Sequence, residues 1–532
     1  MTSFPIARPR PAILSWMSGA LPLLGAGVAV TALADWLFYL RAPGISVAIF
    51  VAALCAATLL TNPVRASRAK LAAAIGVLAA ALLPAIEDFG LLSLAFAVAG
   101  ACVFALLGTG WPARPVVQRL TDVGWMMFSG PFRLAADLGS AIHEARQRDI
   151  AKYGAAWLVA WIVPVGLGGV FLLLFSQANP LIERWLISVD TPHWGHLDLV
   201  RPLFWLAVIV LTWPFLNVRT SSKPTMHDIV NALELELLPL QSPPAQSAAA
   251  TTASAATASA DAPLFGRTAI LRSLILFNAL FAVQSALDVT YLWGGLALPA
   301  EMTYASYAHR GAYPLIATAF LAGAFVLAAM QPAGSIERSR LVRALVFLWI
   351  GQNVLLVLSS MLRLDLYVEV YSLTEWRCAA FVWMLLVAAG LVLIVARIVL
   401  NRSNGWLVWA NAAMLALTLY VCSLVDFSGM IARFNVMHSR EVAGAGEPID
   451  MAYLYRLGPA ALPALDLLAA KVNASGQRPP DSLSNCRRSL ELRHAMRMAD
   501  WRTWTFRGYR LKQFLDERDA RAFATGVRQP MV

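Results

Sequence analysis

Apolar residues in this chain come in long unbroken runs, which recur about eleven times between short polar connections. Leu91–Gly108, Ala155–Phe175, Leu203–Val218, Ala312–Met330, Leu345–Leu362, Cys378–Val395 and Trp406–Leu424 are examples. A helix rises about 1.5 Å per residue, so roughly 20 apolar residues cross a hydrocarbon core about 30 Å thick. In lipid each backbone amide needs a partner within its own segment, which leaves helices as the spanning element. The pattern predicts an all-α, polytopic transmembrane helical bundle with a small helical extramembrane C-terminal region. Spans are expected near 16–40, 44–61, 71–86, 90–110, 154–176, 201–218, 268–293, 312–330, 343–362, 377–398 and 405–426. The second and third are short and Ala-rich, which fits tilted or partly shielded helices.

The polar connections set the orientation. Arg65, Arg68 and Lys70 follow the second span, and Arg114, Arg119, Arg133, Arg146, Arg148 and Lys152 follow the fourth. Arg219 and Lys223 follow the sixth, Arg338, Arg340 and Arg343 the eighth, and Arg397 and Arg402 the tenth. The alternate connections are poorer in positive charge, and Ile86-Glu87-Asp88 is acidic. Positive loops stay inside, so the expected location is the bacterial inner membrane with a cytoplasmic N-terminus and a periplasmic C-terminus.

Four regions follow. Residues 1–218 form an N-terminal transmembrane half of about six spans. Within it the stretch 112–153 sets Trp125, Met126, Met127, Phe128 and Phe132 among basic residues, as in a helix lying on the inner membrane surface. Residues 219–263 hold Ser242-Pro243-Pro244 and an Ala/Thr/Ser run, a flexible cytoplasmic linker whose small residues cannot bury a core. Residues 264–427 form a C-terminal half of about five spans, and 428–532 a basic helical tail. Tail helices are expected at Asp450–Leu457, Ala460–Val472, Ser482–Met498 and Trp501–Phe523. At the N-terminus, Arg8 and Arg10 before an apolar run and Ala32-Leu33-Ala34 raise the possibility of a cleaved leader. The apolar stretch continues through Leu40, so the segment is read as the first span.

Composition agrees with the pattern. The chain has 532 residues, 59% hydrophobic and 14% charged, where a soluble domain carries about 25% charged residues. Its net charge of +11 could indicate nucleic acid, but much of it lies between spans and no binding motif accompanies it. The tail supplies +6 of this, from sixteen Lys/Arg against ten Asp/Glu. Cys55, Cys102, Cys378, Cys422 and Cys486 form no CxxC pair, so neither a disulfide framework nor a zinc site is indicated.

Candidate chemistry concentrates at the predicted outer face of the C-terminal half. One segment runs from Tyr304 through Tyr307, His309 and Arg310 to Tyr313. Another contains Arg363, Asp365, Tyr367, Glu369, Tyr371, Ser372, Glu375 and Arg377. Charges at a bilayer surface need partners, so Arg363 and Arg310 are expected to pair with Asp365, Glu369 or Glu375, and Asp288 lies within reach of Arg310. The cluster reads either as an ion-pair network locking helix ends or as a site for an anionic lipid headgroup or solute. Asp190, His193, His196 and Asp198 could bind metal, but Pro192 and Gly195 favour an interfacial turn. Asn278, Gln284, Gln352, Asn353 and Asn411 read as interhelical hydrogen-bonding residues. No catalytic residue set, phosphate loop or metal motif is present, and no cofactor is implied.

These two segments, with Phe434-Asn435-Val436, Tyr453-Leu454, Leu462-Pro463-Ala464-Leu465 and Asp500-Trp501-Arg502-Thr503-Trp504, resemble the bacterial domain-of-unknown-function families DUF4153 and DUF4173. The resemblance covers Leu264 to Arg510, and the N-terminal half in general hydropathy only. Family members usually have glycine where this chain has Ser372. The resemblance implies a polytopic inner-membrane protein and carries over no activity or catalytic residue.

Three function classes stay open: a non-enzymatic binding, sensing or assembly protein, a transporter for a small or lipid-like anionic solute, and a membrane-embedded transferase or hydrolase. Membrane lipids are the expected partners, with protein partners through the tail as a further possibility.

Overall fold

A computed structural model describes residues 20–110, 116–128, 130, 132–134, 136–139, 200–218, 267–294, 339–444, 446–476 and 478–524. The chain divides into two compact units, Met1–Val230 with Met496–Val532, and Asn231–Ala495. The tail region 428–532 is thereby shared between them. The linker expected at 219–263, the apolar runs at 154–176 and 312–330 and the Asp190–Asp198 group lie outside the described residues.

In the first unit α1 (Ala20–Phe38), α2 (Ile45–Thr61), α3 (Arg68–Glu87), α4 (Leu91–Thr109) and α6 (Val200–Leu216) form a bundle, with α5 (Val116–Phe128) beside it. Local chemistry starts and stops these helices. Ser67 accepts from the Lys70 amide at 3.4 Å at the start of α3, and Gly110, at φ +91°, ends α4 in the left-handed region. Small residues let α3 and α4 approach closely, since a Cβ on Gly100 would collide with the Ala81 methyl. The core holds Ala34, Leu37, Leu54, Phe104, Leu106, Met126, Trp213 and Leu216.

Successive helices reverse direction, so the α1–α2 turn, the α3–α4 turn and the start of α6 share one end of this unit. At the opposite end Asn62 donates to the Phe215 and Leu216 carbonyls at 3.0 and 3.1 Å and accepts from the Val218 amide at 2.8 Å. There Asp137 accepts from Trp213 at 3.0 Å and from Asn217 at 2.6 Å. In α5 and just beyond it, Trp125, Phe128 and Phe132 form an exposed aromatic row while Met126 is buried.

In the second unit α7 (Arg267–Asp288) runs into a π-turn, Val289–Trp293, and packs on α8 (Arg340–Tyr371). Then come α9 (Glu375–Val399), α10 (Asn404–Leu424), α11 (Phe427–Met437), α12 (Met451–Leu457), α13 (Leu462–Ala474) and α14 (Asp481–Ala499), inside which the unit boundary falls. Side-chain caps start several of them, among them Thr374 on the Arg377 amide, Ser403 on Trp406 and Asp426 on Gly429. A 3₁₀ turn at Trp501–Thr503 and α15 (Phe506–Ala524) complete the tail within the first unit. The tail helices stand within a few residues of their expected places. α11 was not anticipated, because the chain turns polar at Ser428, yet it buries Ile431, Ala432 and Val436.

Among the described residues six helices are long and apolar enough to cross a membrane: Arg68–Glu87, Leu91–Thr109, Ile270–Asp288, Arg340–Tyr371, Glu375–Val399 and Asn404–Leu424. Leu23–Phe38, Ile45–Thr61 and Val200–Leu216 are shorter and also apolar. Many apolar side chains on these helices point outward, including Val28, Leu83, Val392, Val408 and Leu417. Outward apolar faces suit a lipid solvent.

Candidate functional site

The cluster expected from sequence separates into parts with different surroundings. Arg363 donates to Asp288 across the α7–α8 contact; the carboxylate is fully buried and the guanidinium nearly so. Gln284, one turn earlier, donates to the same Asp288 oxygen at 3.1 Å, and Trp293 donates to Ser359 at 3.2 Å. Arg363 therefore takes Asp288 as its partner, the residue that sequence had placed within reach of Arg310. The carboxylates expected to pair it, Asp365, Glu369 and Glu375, are exposed. Tyr307, His309 and Arg310 lie outside the described residues. Farther along the same interface Asn278 donates to the Leu345 carbonyl at 3.1 Å and Gln352 to the Asn278 carbonyl at 3.2 Å.

Arg377 serves the α8–α9 turn. It donates to the carbonyls of Tyr371 (2.6 Å) and Ser372, and its guanidinium lies 4.4 Å from the centre of the Tyr367 ring. Asn435 of α11 accepts from the Leu373 amide at 2.7 Å and donates to the Leu373 carbonyl at 2.9 Å. The Glu375 amide donates to the Tyr453 hydroxyl at 3.0 Å, and burial raises the pKa of that phenol. These contacts lock a turn whose pivot is strained: Ser372 has φ +67° and ψ 169°, a region open at little cost to glycine alone. Ser372→Gly should therefore stabilise the protein by about 1 kcal/mol. A raised melting temperature in detergent is the readout, and an unchanged or lowered one would refute the strain argument.

A second constellation, of which the sequence marked only the Asp500–Trp504 motif, lies at the end of the first unit that carries the α1–α2 turn. Asp35, on the last turn of α1, is gripped by Arg201 at the start of α6 through bonds of 2.9 and 2.6 Å, and Trp205 donates to it at 2.8 Å. Arg201 also lies over the Tyr39 and Trp205 rings, at 5.2 and 5.5 Å. Arg41 donates to Asp500 at 3.0 Å. The Arg502 amide and the guanidiniums of Arg41 and Arg502 all donate to Asp500, which lowers its pKa, the amide bond contributing most.

The tail segment is tied down on both sides of this contact. Arg502 lies over Trp36 and Trp501, whose rings are 5.6 Å apart, and the Ile45 amide donates to the Trp504 carbonyl at 2.8 Å. Arg507 pairs with Asp88 at 3.0 Å and Arg510 with Glu87, so the basic tail meets the acidic α3–α4 turn. Between the span ends and the tail lies an open cleft of about 990 Å³, with Asp35, Trp36, Tyr39, Arg41, Arg201, Arg497 and Asp500 among its walls. Guanidinium donors beside aromatic rings form a recognition surface for an anionic group with an apolar part. No group of His, Cys, Asp and Glu able to hold a metal ion occurs among the described residues.

Together the apolar helices and this arrangement define a multi-pass membrane protein. The chain matches the family described as Domain of unknown function (DUF4153) over residues 23–468, and so belongs to that family. The match takes in the N-terminal spans, where the resemblance rested on hydropathy, and ends before Asp500–Trp504. No curated protein and no solved structure matches the chain.

Proposed function

We propose that this chain is a non-enzymatic binding, sensing or assembly protein of the bacterial inner membrane, acting through the cleft of its first unit. The observation that carries the reading is the cleft's construction. Residues more than four hundred positions apart build its two walls, and their side chains are donors and aromatic faces that position a ligand. The N-terminus is cytoplasmic in this reading, the cleft and tail face outward, and the spans number about eleven. The positive connections support that orientation, as does the pairing of a basic tail with Glu87 and Asp88 at the end opposite Arg65 and Arg68.

A transporter of a small or lipid-like anionic solute is the second reading. The α7–α8 interface favours it, because the buried atoms Asn278 Oδ1, Ser285 Oγ and Gln352 Oε1 have no hydrogen-bond partner among the described residues. Such atoms inside a membrane mark a path for water or solute.

One pair of measurements on the full chain tests the first reading. Alkaline phosphatase fused after Val532 should be active, and native mass spectrometry after mild extraction should show a retained small molecule or lipid that Trp36→Ala releases. An inactive fusion would overturn the orientation. A parent protein free of any adduct would overturn the binding function.

A further inference from the structure

We propose that this cleft binds the phosphodiester headgroup of a membrane phospholipid, with Arg41 and Arg497 as the phosphate ligands; the proposal rests on the binding reading above and supplies its ligand class.

The charges select the ligand. Arg201 is committed, since it grips Asp35 through two bonds and is stacked on aromatic rings. Arg41 spends one bond, 3.0 Å to Asp500, and its side chain is 43% exposed. Arg497 is 40% exposed, and its ion pair with Asp88 is 3.8 Å long, beyond hydrogen-bond distance. A guanidinium offers five N–H donors in a planar fork that matches phosphate oxygens. Most of the donors on these two side chains therefore remain for a ligand. Arg201 and Asp35 cancel, and beyond them the guanidiniums of Arg41, Arg497, Arg502, Arg507 and Arg510 outnumber the carboxylates of Asp500, Asp88 and Glu87, so a positive surplus remains for an anionic group.

The apolar surroundings select the source. Trp36 and Tyr39 sit where α1 leaves its apolar run, the level at which amphipathic rings meet lipid headgroups. Val28, Ala32 and Trp36 are all exposed and recur every four residues, so they form one stripe along α1, and exposed Leu40 follows in the turn just past its end. Trp36 and Leu40 also line the cleft, so the stripe runs from the hydrocarbon level directly into it. A free phosphodiester has no use for that stripe. An acyl chain attached to one would lie along it while the phosphate met Arg41 and Arg497.

The test is isothermal titration of the full-length protein in an uncharged maltoside detergent. Its probes are dioctanoyl-phosphatidylglycerol, dioctanoylglycerol and glycerophosphoglycerol. The phospholipid should bind, and the phosphate-free lipid and the chain-free diester should each bind at least about tenfold more weakly. Arg497→Gln should weaken phospholipid binding about tenfold with an unchanged melting temperature, because its long ion pair contributes little to folding. Arg41→Gln should weaken it similarly, and Arg521→Gln should not.

Equal affinity for dioctanoylglycerol would overturn phosphate recognition and leave the binding reading standing. Glycerophosphoglycerol binding as tightly as the phospholipid would overturn the lipid source. Phospholipid binding unaffected by Arg497→Gln and Arg41→Gln would overturn the residue assignment. An adduct in native mass spectrometry with no response to any probe would overturn the ligand class alone, whereas the absence of both would overturn the ligand and the function together.

Discussion

Replacing Arg363 by alanine should destabilise the protein by about 3–5 kcal/mol, the cost of stranding one partner of a buried ion pair. Asp288 has no exposed surface, and Arg363 is its ion-pair partner across the α7–α8 contact. Asp288 ends an apolar span, so water has little access to the carboxylate left behind. Thermal unfolding in detergent measures the effect. Arg363→Lys should restore only part of it, because an ammonium lacks the planar fork. A double variant, Asp288→Leu with Arg363→Met, should recover most of the loss, since an apolar pair replaces two desolvated charges. A single alanine variant that melts with the parent would show that the pair contributes nothing to stability.

Gly44→Ala should release the C-terminal segment from the first unit. A Cβ at this position would fall 2.6 Å from the Thr503 carbonyl oxygen and 2.7 Å from its Cα. The obstacle is backbone, and it is held by the neighbouring bond from the Ile45 amide to the Trp504 carbonyl. One methyl group thus sets α2 against the docked turn, at about 3 kcal/mol, the upper end of the usual range for overpacking. Arg41–Asp500, the Trp36–Trp501 ring contact and the pairs of Arg507 and Arg510 would be lost with it. Trypsin should then cut after Arg502, Arg507 and Arg510 at least about tenfold faster, since cleavage follows the population of the opened segment. A tail as resistant as in the parent would show that this close approach does not hold it. Because the tail forms one wall of the cleft, the same variant should also lose phospholipid binding.

The spans were legible in the sequence because lipid leaves the backbone no choice. An apolar run of sufficient length is helical whatever its neighbours are, so Leu91–Thr109, Glu375–Val399 and Asn404–Leu424 stand close to where hydropathy places them. Helix starts were legible as well, since Thr374, Ser403 and Asp450 act within three residues. The strained turn left a trace too, in the Ser372 that stands where the resembling families carry glycine. Partner choice left none. Asp365 lies two residues from Arg363, and positions two apart do not face each other on a helix. The partner came instead from the facing helix, as Asp288, which a charge pattern along one segment cannot specify. The division of the tail was hidden for the same reason, because charge along the chain does not say which unit a helix packs on. The cleft is the extreme case: Arg41 and Asp500 meet across 459 positions. Sequence determined which of the described segments are long apolar helices, through local solvation of the backbone. Tertiary structure alone decided which charges meet, because that depends on helix rotation and on the close approach of Gly44 to Thr503.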